Sequence, residues 1–220
     1  WCRVWQWEQY KYDIPLPSTL NQAEKNELRT VEQRLTTALD IQKAPKEAVF
    51  KAYDVFQKAN IQRSGTGFTG APILTPDELD RSKGEISWND LETMLSGFAY
   101  DAYYNHSETS RQNYFTVWDF AINQGFSFGS GMGTNHHYGY QVRKIYTTAW
   151  LMRDAIWKTP NRDNILSTLI FWSALQETRQ PYQYGRDELL DSWHTLLMAK
   201  TVSALLFTDE RERVRALKGL

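Results

Sequence analysis

The residues most able to do chemistry lie together in one glycine-rich stretch that runs from Gly129 to Arg143. Imidazole exchanges protons near neutral pH, and tyrosine and arginine side chains hydrogen-bond or stack on ligands. Glycines let the backbone come close to a ligand or to another segment. The candidate site residues are Asn135, His136, His137, Tyr138, Tyr140 and Arg143. The alternative is that they are ordinary structural residues before and within the first turn of a helix.

The spacing of this stretch does not favour two familiar kinds of site. Residues 129–134 form neither Gly-x-Gly-x-x-Gly nor a P-loop, since no lysine follows them and no strand is predicted before them. Neighbouring histidines point in different directions, and the chain has neither His-Glu-x-x-His nor Cys-x-x-Cys. We therefore expect no nucleotide and no metal cofactor in this segment.

Two candidate substrate contacts lie elsewhere, at Trp118 and His194, and each is in a predicted helix. The chain has 9 Trp and 12 Tyr among its 220 residues. Flat rings with polar edges suit a sugar-binding groove, although some of these rings must belong to the core. For His194 the alternative is likewise a place in the core.

Charge and hydropathy exclude several classes of partner. The formal net charge is −1 and no block of like charge stands out, so no global field attracts nucleic acid or an anionic membrane. No apolar run approaches the ~18 residues of a membrane span. A single cysteine, Cys2, excludes an internal disulfide framework. We expect neither nucleic acid nor a membrane as a partner.

Apolar residues at three- and four-residue steps predict a mainly α-helical chain. Ser87, with Asp90 three positions later, is a predicted helix N-cap. Residues 61–85, rich in glycine and proline, are predicted to form a long loop. Helices are predicted over 21–41, 46–60, 87–104, 111–124, 140–158, 163–178 and 187–207, and another begins at 209–220.

Short connections favour antiparallel helix pairs, and the absence of βαβ alternation argues against a Rossmann fold. The predicted architecture is an incomplete α/α toroid over residues 18–220. Residues 1–12 are predicted to form short strands, and residues 14–17 are predicted to be a linker. Residues 1–17 are therefore predicted to be the end of an upstream β domain and its linker.

The segment NQGFSFGSGMGTNHHYGY at 123–140, followed by IYTTAWLMRDA at 145–155, resembles the chondroitin sulfate ABC lyases of polysaccharide lyase family 8. The similarity extends to residues 98–104 and to the C-terminal helices. It implies an α/α toroid that follows a jelly-roll domain, and eliminative cleavage of chondroitin and dermatan sulfates by a periplasmic or secreted bacterial enzyme. It also leaves room for a divalent cation, Mg²⁺ or Ca²⁺, in the full-length parent.

The resemblance implies a role for one histidine of the pair. In this branch such a histidine is associated with accepting the second uronate epimer, and both His136 and His137 stay candidates. The family's principal His and Tyr, and its catalytic Arg and Glu, follow the matched region. We therefore expect residues 1–220 alone to be inactive and to need the remaining domains of the parent.

The sequence is also compatible with two other functions. The chain could be a non-catalytic, carbohydrate-binding helical module that uses its aromatic side chains and histidines for affinity only. It could also be a helical scaffold whose glycine-rich stretch packs against another domain.

Overall fold

In the computed structural model the described residues are 14–41, 46–65, 67–70, 73–74, 85–124, 143–169 and 201–218. The helices are α1 (Gln22–Ile41), α2 (Lys46–Ala59), α3 (Trp88–Tyr104), α4 (Glu108–Asn123), α5 (Arg143–Leu151), α6 (Arg153–Ile156) and α7 (Glu210–Lys218). Residues 162–169 and 201–205 are also helical. The strands are β1 (Gln62–Ser64), β2 (Gly67–Thr69), β3 (Ile73–Leu74) and β4 (Ile86–Ser87).

The predicted mainly helical class is confirmed. The predicted strands at residues 1–12 lie outside the described residues. The closure of the helices into a toroid stays a prediction.

Side-chain caps set where α1, α3 and α4 begin. The predicted cap of α3 is confirmed: the Asp90 amide donates to Ser87 Oγ at 3.3 Å, and the Ser87 amide donates to Asp90 Oδ2 at 2.7 Å. Asn21 and Glu24 exchange the same pair of bonds at the start of α1. Ser107 caps α4, which therefore begins at 108 rather than at the predicted 111.

Helix α3 packs against α2, α4 and α5. Gly97 allows α2 to lie close, since a Cβ there would stand 2.5 Å from the Ala52 Cβ. Phe98 lies edge-on to Tyr53 of α2, with 5.0 Å between ring centroids.

Ser110 near the start of α4 bonds to Asp101 near the end of α3. At the other end Gly70 lies against Phe120, near the end of α4, and the strand β3 that follows pairs with β4 just before α3. The two helices are therefore antiparallel, as predicted.

The predicted long loop over residues 61–85 is corrected where it is described. Strands β1 and β2 form an antiparallel hairpin, and β3 pairs in parallel with β4 just before α3. Gly65, at a φ of 60°, turns the chain between β1 and β2. Gly70 lies against the Phe120 ring, where a Cβ would stand only 2.9 Å from Cε2. The hairpin therefore covers the C-terminal end of α4.

The single helix predicted over residues 140–158 is also corrected. Helix α5 ends at Leu151, Met152 leaves the helical pattern, and α6 continues only from Arg153 to Ile156. Residues 157–161 form turns before the helical residues 162–169. Residues 140–142 lie outside the described residues.

Helix α1 packs against α7, the last described helix. Leu28 of α1 forms an apolar cluster with Leu205 and Val214. Arg213 of α7 is buried and donates a charge-assisted hydrogen bond to Glu32 of α1. A guanidinium this buried needs such a partner, so the pair fixes how α1 and α7 are aligned.

A buried polar network ties α2, α3 and α4 together. Ser110 Oγ donates to Asp101 Oδ2 at 2.5 Å, and the Tyr53 hydroxyl lies 2.8 Å from Ser110 Oγ. Partial burial acts to raise the pKa of Asp101, but hydrogen bonds from Ser110, Asn105 and Ser107 outweigh it, and the pKa is lowered. The network therefore needs the ionised carboxylate.

Asp101→Asn should make the fold less sensitive to acid. Because the folded pKa of Asp101 lies below its unfolded value of about 3.9, the carboxylate stabilises the fold above that pH and this stabilisation is lost as the pH falls through the folded pKa. We expect the free energy of unfolding of the variant to be about 1 kcal/mol lower than that of the wild type at neutral pH. Between neutral pH and about pH 3 this free energy should fall less in the variant than in the wild type. Urea unfolding at the two pH values measures the free energy of unfolding of each protein.

Ser110→Ala provides the companion measurement. It keeps the carboxylate but removes its shortest donor, so the pKa of Asp101 should rise towards its ordinary value. An acid dependence of unfolding that is the same in the wild type and in Asp101→Asn would contradict this account of the network.

Candidate functional site

The glycine-rich stretch from Gly129 to Arg143, here termed the histidine stretch, follows the end of α4 at Asn123 and runs into the start of α5. Residues 125–142 lie outside the described residues, as does His194. Arg143 is the first residue of α5, and its side chain also lies outside them. The site residues whose side-chain positions stay predictions are Asn135, His136, His137, Tyr138, Tyr140, Arg143 and His194.

The described flanks show where this connection leaves and re-enters the helices. Gly70 lies against both Ala59 of α2 and Phe120 of α4, so these two helices end side by side. Helix α3 runs antiparallel to α4, so α3 begins at this same end. Helix α5 begins there too, since its Lys144 is bonded to Glu92 near the start of α3. The histidine stretch is therefore anchored where α2 and α4 end and α3 and α5 begin.

Glu92 holds the first turn of α5. The Lys144 amide donates to Glu92 Oε1 at 3.0 Å. First-turn amides have no partner within their own helix, and a carboxylate near a helix N-terminus is electrostatically favoured. This bond fixes the point at which the histidine stretch becomes helix.

The remainder of α5 packs into the core. Ile145, Tyr146 and Ala149 are buried, and the Tyr146 hydroxyl donates to the Leu169 carbonyl. Thr148 is buried as well, and its Oγ1 donates to the Lys144 carbonyl at 2.6 Å. Helix α5 is thus a rigid support for the segment that precedes it.

Trp118 lies in the core, which corrects its predicted role as a substrate contact. Its indole has 0% exposed surface and packs edge-on against Tyr114 of the same helix. A stacking platform needs an exposed face, and this ring offers none. Burial raises the pKa of Tyr114, against an opposing hydrogen bond with Trp118, so its hydroxyl is held in the neutral form. Both rings belong to the packing of α4.

A small open pocket lies at the far end of α5. Its cavity of about 110 Å³ is lined by Thr36, Tyr103, Trp150, Leu151, Arg153 and Asp154. Arg153 stacks over the Trp150 ring at 4.3 Å from the centroid, and its charge is met by Asp154 at 3.3 Å. About 12 Å of helix separates this pocket from the start of α5.

Sequence reasoning did not find this pocket, although a signal for it exists. Trp150 and Arg153 are three residues apart, a helical spacing that brings two side chains onto the same face. The short break at Met152 does not separate them.

Metal sites and membrane spans are both absent from the described residues. These residues contain no group of three or more His, Cys, Asp or Glu side chains arranged to hold a metal ion. Among these same residues, no helix has the length and apolar character needed to cross a membrane.

The similarity of the chain to known proteins identifies its family. A family model described as "Lyase, catalytic" matches residues 14–220. The chain belongs to this catalytic lyase family. The resemblance to chondroitin ABC lyases is confirmed by two relatives, one of which matches the whole chain and the other 47% of it.

Both relatives are chondroitin sulfate ABC lyases by name. The chain is 25% identical over 241 residues to a chondroitin sulfate ABC exolyase of Bacteroides thetaiotaomicron, across 100% of this chain and 23% of the exolyase. It is 28% identical over 105 residues to a chondroitin sulfate ABC endolyase of Proteus vulgaris, across 47% of this chain and 10% of the endolyase. The chain thus spans about a quarter or less of the length of either relative.

Trp118→Phe should destabilise the fold, because the indole packs in the core beneath α4. Replacing a fully buried indole by a smaller ring leaves a cavity, and we expect a loss of about 1–2 kcal/mol in the free energy of unfolding. Urea unfolding measures it, with Phe50→Ala as the control. Phe50 is 73% exposed, so its removal should change stability by less than about 0.5 kcal/mol. Unchanged stability in Trp118→Phe would contradict the core assignment.

Proposed function

We propose that this chain is part of a glycosaminoglycan lyase that cleaves chondroitin and dermatan sulfates by β-elimination at uronic acid residues. The observation that carries this proposal is the match of residues 14–220 to a catalytic lyase family. The names of the exolyase and endolyase relatives supply the substrate class.

The reaction determines which side chains the enzyme needs. A base takes the proton from C5 of the uronate, the electron pair forms the C4–C5 double bond, and the bond from C4 to the glycosidic oxygen breaks. An acid gives that oxygen a proton. The uronate carboxylate must be neutralised while negative charge develops next to it. Histidine, tyrosine, asparagine and arginine side chains serve these roles.

We assign the histidine stretch to one wall of the cleft. His136 or His137 takes part in proton transfer or in neutralising the carboxylate. Asn135, Tyr138, Tyr140, Arg143 and His194 contact the substrate. Support comes from their residue types, from the resemblance of this stretch to the ABC lyases, and from its attachment beside the start of α5.

The backbone amide of Lys144, in the first turn of α5, does not bind the substrate carboxylate in this proposal, because it is already bonded to Glu92. A negatively charged Glu92 side chain would repel a substrate carboxylate placed beside it. Within the stretch, Arg143 and the two histidines are able to supply positive charge to the carboxylate.

The proposed substrate also indicates where the enzyme is located in the cell and which other domains it needs. A sulfated polysaccharide is a large polyanion that does not cross a membrane unaided, so we place the enzyme in the bacterial periplasm or outside the cell. The remaining domains of the parent chain complete the cleft, with the rest of the acid–base machinery.

His136→Ala and His137→Ala, made separately in the full-length enzyme, test the proposed site. Ultraviolet absorbance of the unsaturated uronate reports turnover. We expect at least one variant to lose about 100-fold or more in kcat, as removal of a proton-transfer group does, with dermatan sulfate affected more than chondroitin sulfate.

His106→Asn is the matched control. His106 is exposed and lies on the turn between α3 and α4, at the end of α4 opposite to Asn123, and its φ of 55° is one that asparagine tolerates. It should leave turnover unchanged. Full turnover in both His136→Ala and His137→Ala would overturn the assignment. If the wild-type protein has no turnover and the histidine variants only bind the polysaccharide more weakly, the chain is instead part of a carbohydrate-binding module.

A further inference from the structure

We infer that the small pocket at the far end of α5 is a second binding site, which takes one uncharged sugar unit of a carbohydrate. Its ligand contacts are Tyr103, Arg153 and Asp154, which all line the pocket. About 12 Å of helix separates this pocket from the start of α5, where the histidine stretch ends. Binding there needs no turnover, so this site is independent of the proposed lyase activity.

The floor of the pocket is the Arg153 guanidinium, which lies over the Trp150 indole at 4.3 Å from the ring centroid. Trp150 packs against three apolar clusters of buried residues, and its indole N–H donates to Thr36 Oγ1 at 3.4 Å. Thr36 is fixed in turn, because its hydroxyl donates to the Glu32 carbonyl at 2.9 Å. The guanidinium therefore rests on a fixed ring and loses little freedom when it binds a ligand.

One wall of the pocket is the ring of Tyr103, a residue that is 41% exposed. This ring lies edge-on to Tyr104, with 5.0 Å between the centroids, and Tyr104 stacks on the buried Tyr100 at 6.2 Å. Tyr103 is thus held by its neighbours while it presents ring surface to solvent. The C–H face of a sugar packs on such a surface, which the fully buried Trp118 does not offer.

Arg153 and Asp154 supply the polar contacts. Arg153 Nε donates to Asp154 Oδ1 at 3.3 Å, and the Asp154 side chain is 77% exposed. Arg153 Nη1 is buried and has no hydrogen-bond partner among the described residues, since Glu32 Oε1 is 4.0 Å away. The guanidinium therefore keeps donor capacity for a ligand oxygen. A sugar hydroxyl both donates and accepts, so two neighbouring hydroxyls can bridge the donor Arg153 and the acceptor Asp154.

Charge, polarity and size favour an uncharged sugar over other ligands. The carboxylates of Asp154 and Glu32 both lie close to the Arg153 guanidinium, and Glu32 also pairs with Arg213. These four charges cancel, so the pocket has no excess positive charge for a sulfate or a uronate. The lining is mostly polar, which does not suit an apolar peptide side chain. A cavity of about 110 Å³ has room for roughly four waters, and thus for one edge of a single sugar ring.

The test is a titration of the full-length protein with the methyl glycoside of N-acetylgalactosamine, followed by saturation-transfer NMR of the sugar. We expect a Kd of about 1–10 mM for the wild type. Tyr103→Ala removes the ring and Asp154→Ala removes the acceptor, so each should raise the Kd about fivefold or more. Tyr103→Phe keeps the ring and should stay within about twofold of the wild type. An excess of sulfate should not displace the sugar.

Phe50→Ala is the matched control, because Phe50 is also an exposed aromatic residue but does not line the pocket. It should have the wild-type Kd. If Tyr103→Ala does not fold, Asp154→Ala decides the question, since the Asp154 side chain is mainly exposed. No binding by the wild type, an unchanged Kd in both pocket variants, or displacement of the sugar by sulfate would overturn this inference.

The histidine variants separate this site from the proposed lyase site. His136→Ala and His137→Ala should bind the sugar with the wild-type Kd, whatever happens to their turnover. A Kd that rises in these variants and not in the pocket variants would place the sugar at the histidine stretch and reject the second site. Full turnover in the histidine variants would remove the proposed function and leave the second site standing.

Discussion

The burial of α3 is the constraint on which the rest of the described structure depends. Residues 94–100 are all buried, so this helix is covered on every side in its middle. It packs against α2, α4 and α5, and each of these takes its direction from α3. Gly97 sets the approach of α2, Asp101 bonds to the start of α4, and Glu92 holds the start of α5.

This arrangement gives the connection between α4 and α5 a defined attachment. That connection carries the two histidines and joins the end of α4 to the start of α5, and both helices pack against α3. A site on a connecting segment needs such a scaffold, because loop residues alone hold geometry poorly. The buried core of α3 therefore supports the proposed site through the packing of α4 and α5, together with the bond from the Lys144 amide to Glu92.

Several parts of the fold could be predicted because the signal is local. The apolar spacing of α1 and α2 and the capping box of Ser87 depend on near neighbours in the chain, and each is seen in the structure. The cap at Ser107 is an equally local signal, and the predicted start of α4 at residue 111 is too late because it does not include that cap. Its sequence, Ser107 followed by Glu108, carries the ordinary signs of a helix start.

Other features depend on contacts that spacing does not reveal. Trp118 lies on the apolar side of α4. The spacing of apolar residues along a helix does not show whether an aromatic side chain on that side packs in the core or lines a binding groove. The hairpin at residues 62–69 is too short for a strand pattern, and the packing of Gly70 against Phe120 holds it in place. The bond from Glu92 to Lys144 joins residues 52 positions apart. The two histidines were found by residue type and family resemblance.

The mass of the product formed by the wild-type full-length enzyme tests the central claim most directly. β-Elimination leaves an unsaturated uronate at the new non-reducing end, so that fragment is lighter by one water than the fragment a hydrolase would release. Mass spectrometry of the products from chondroitin sulfate and from dermatan sulfate should find the lighter fragment in both digests. Fragments that have gained a water, or intact polysaccharide in both digests, would contradict the account.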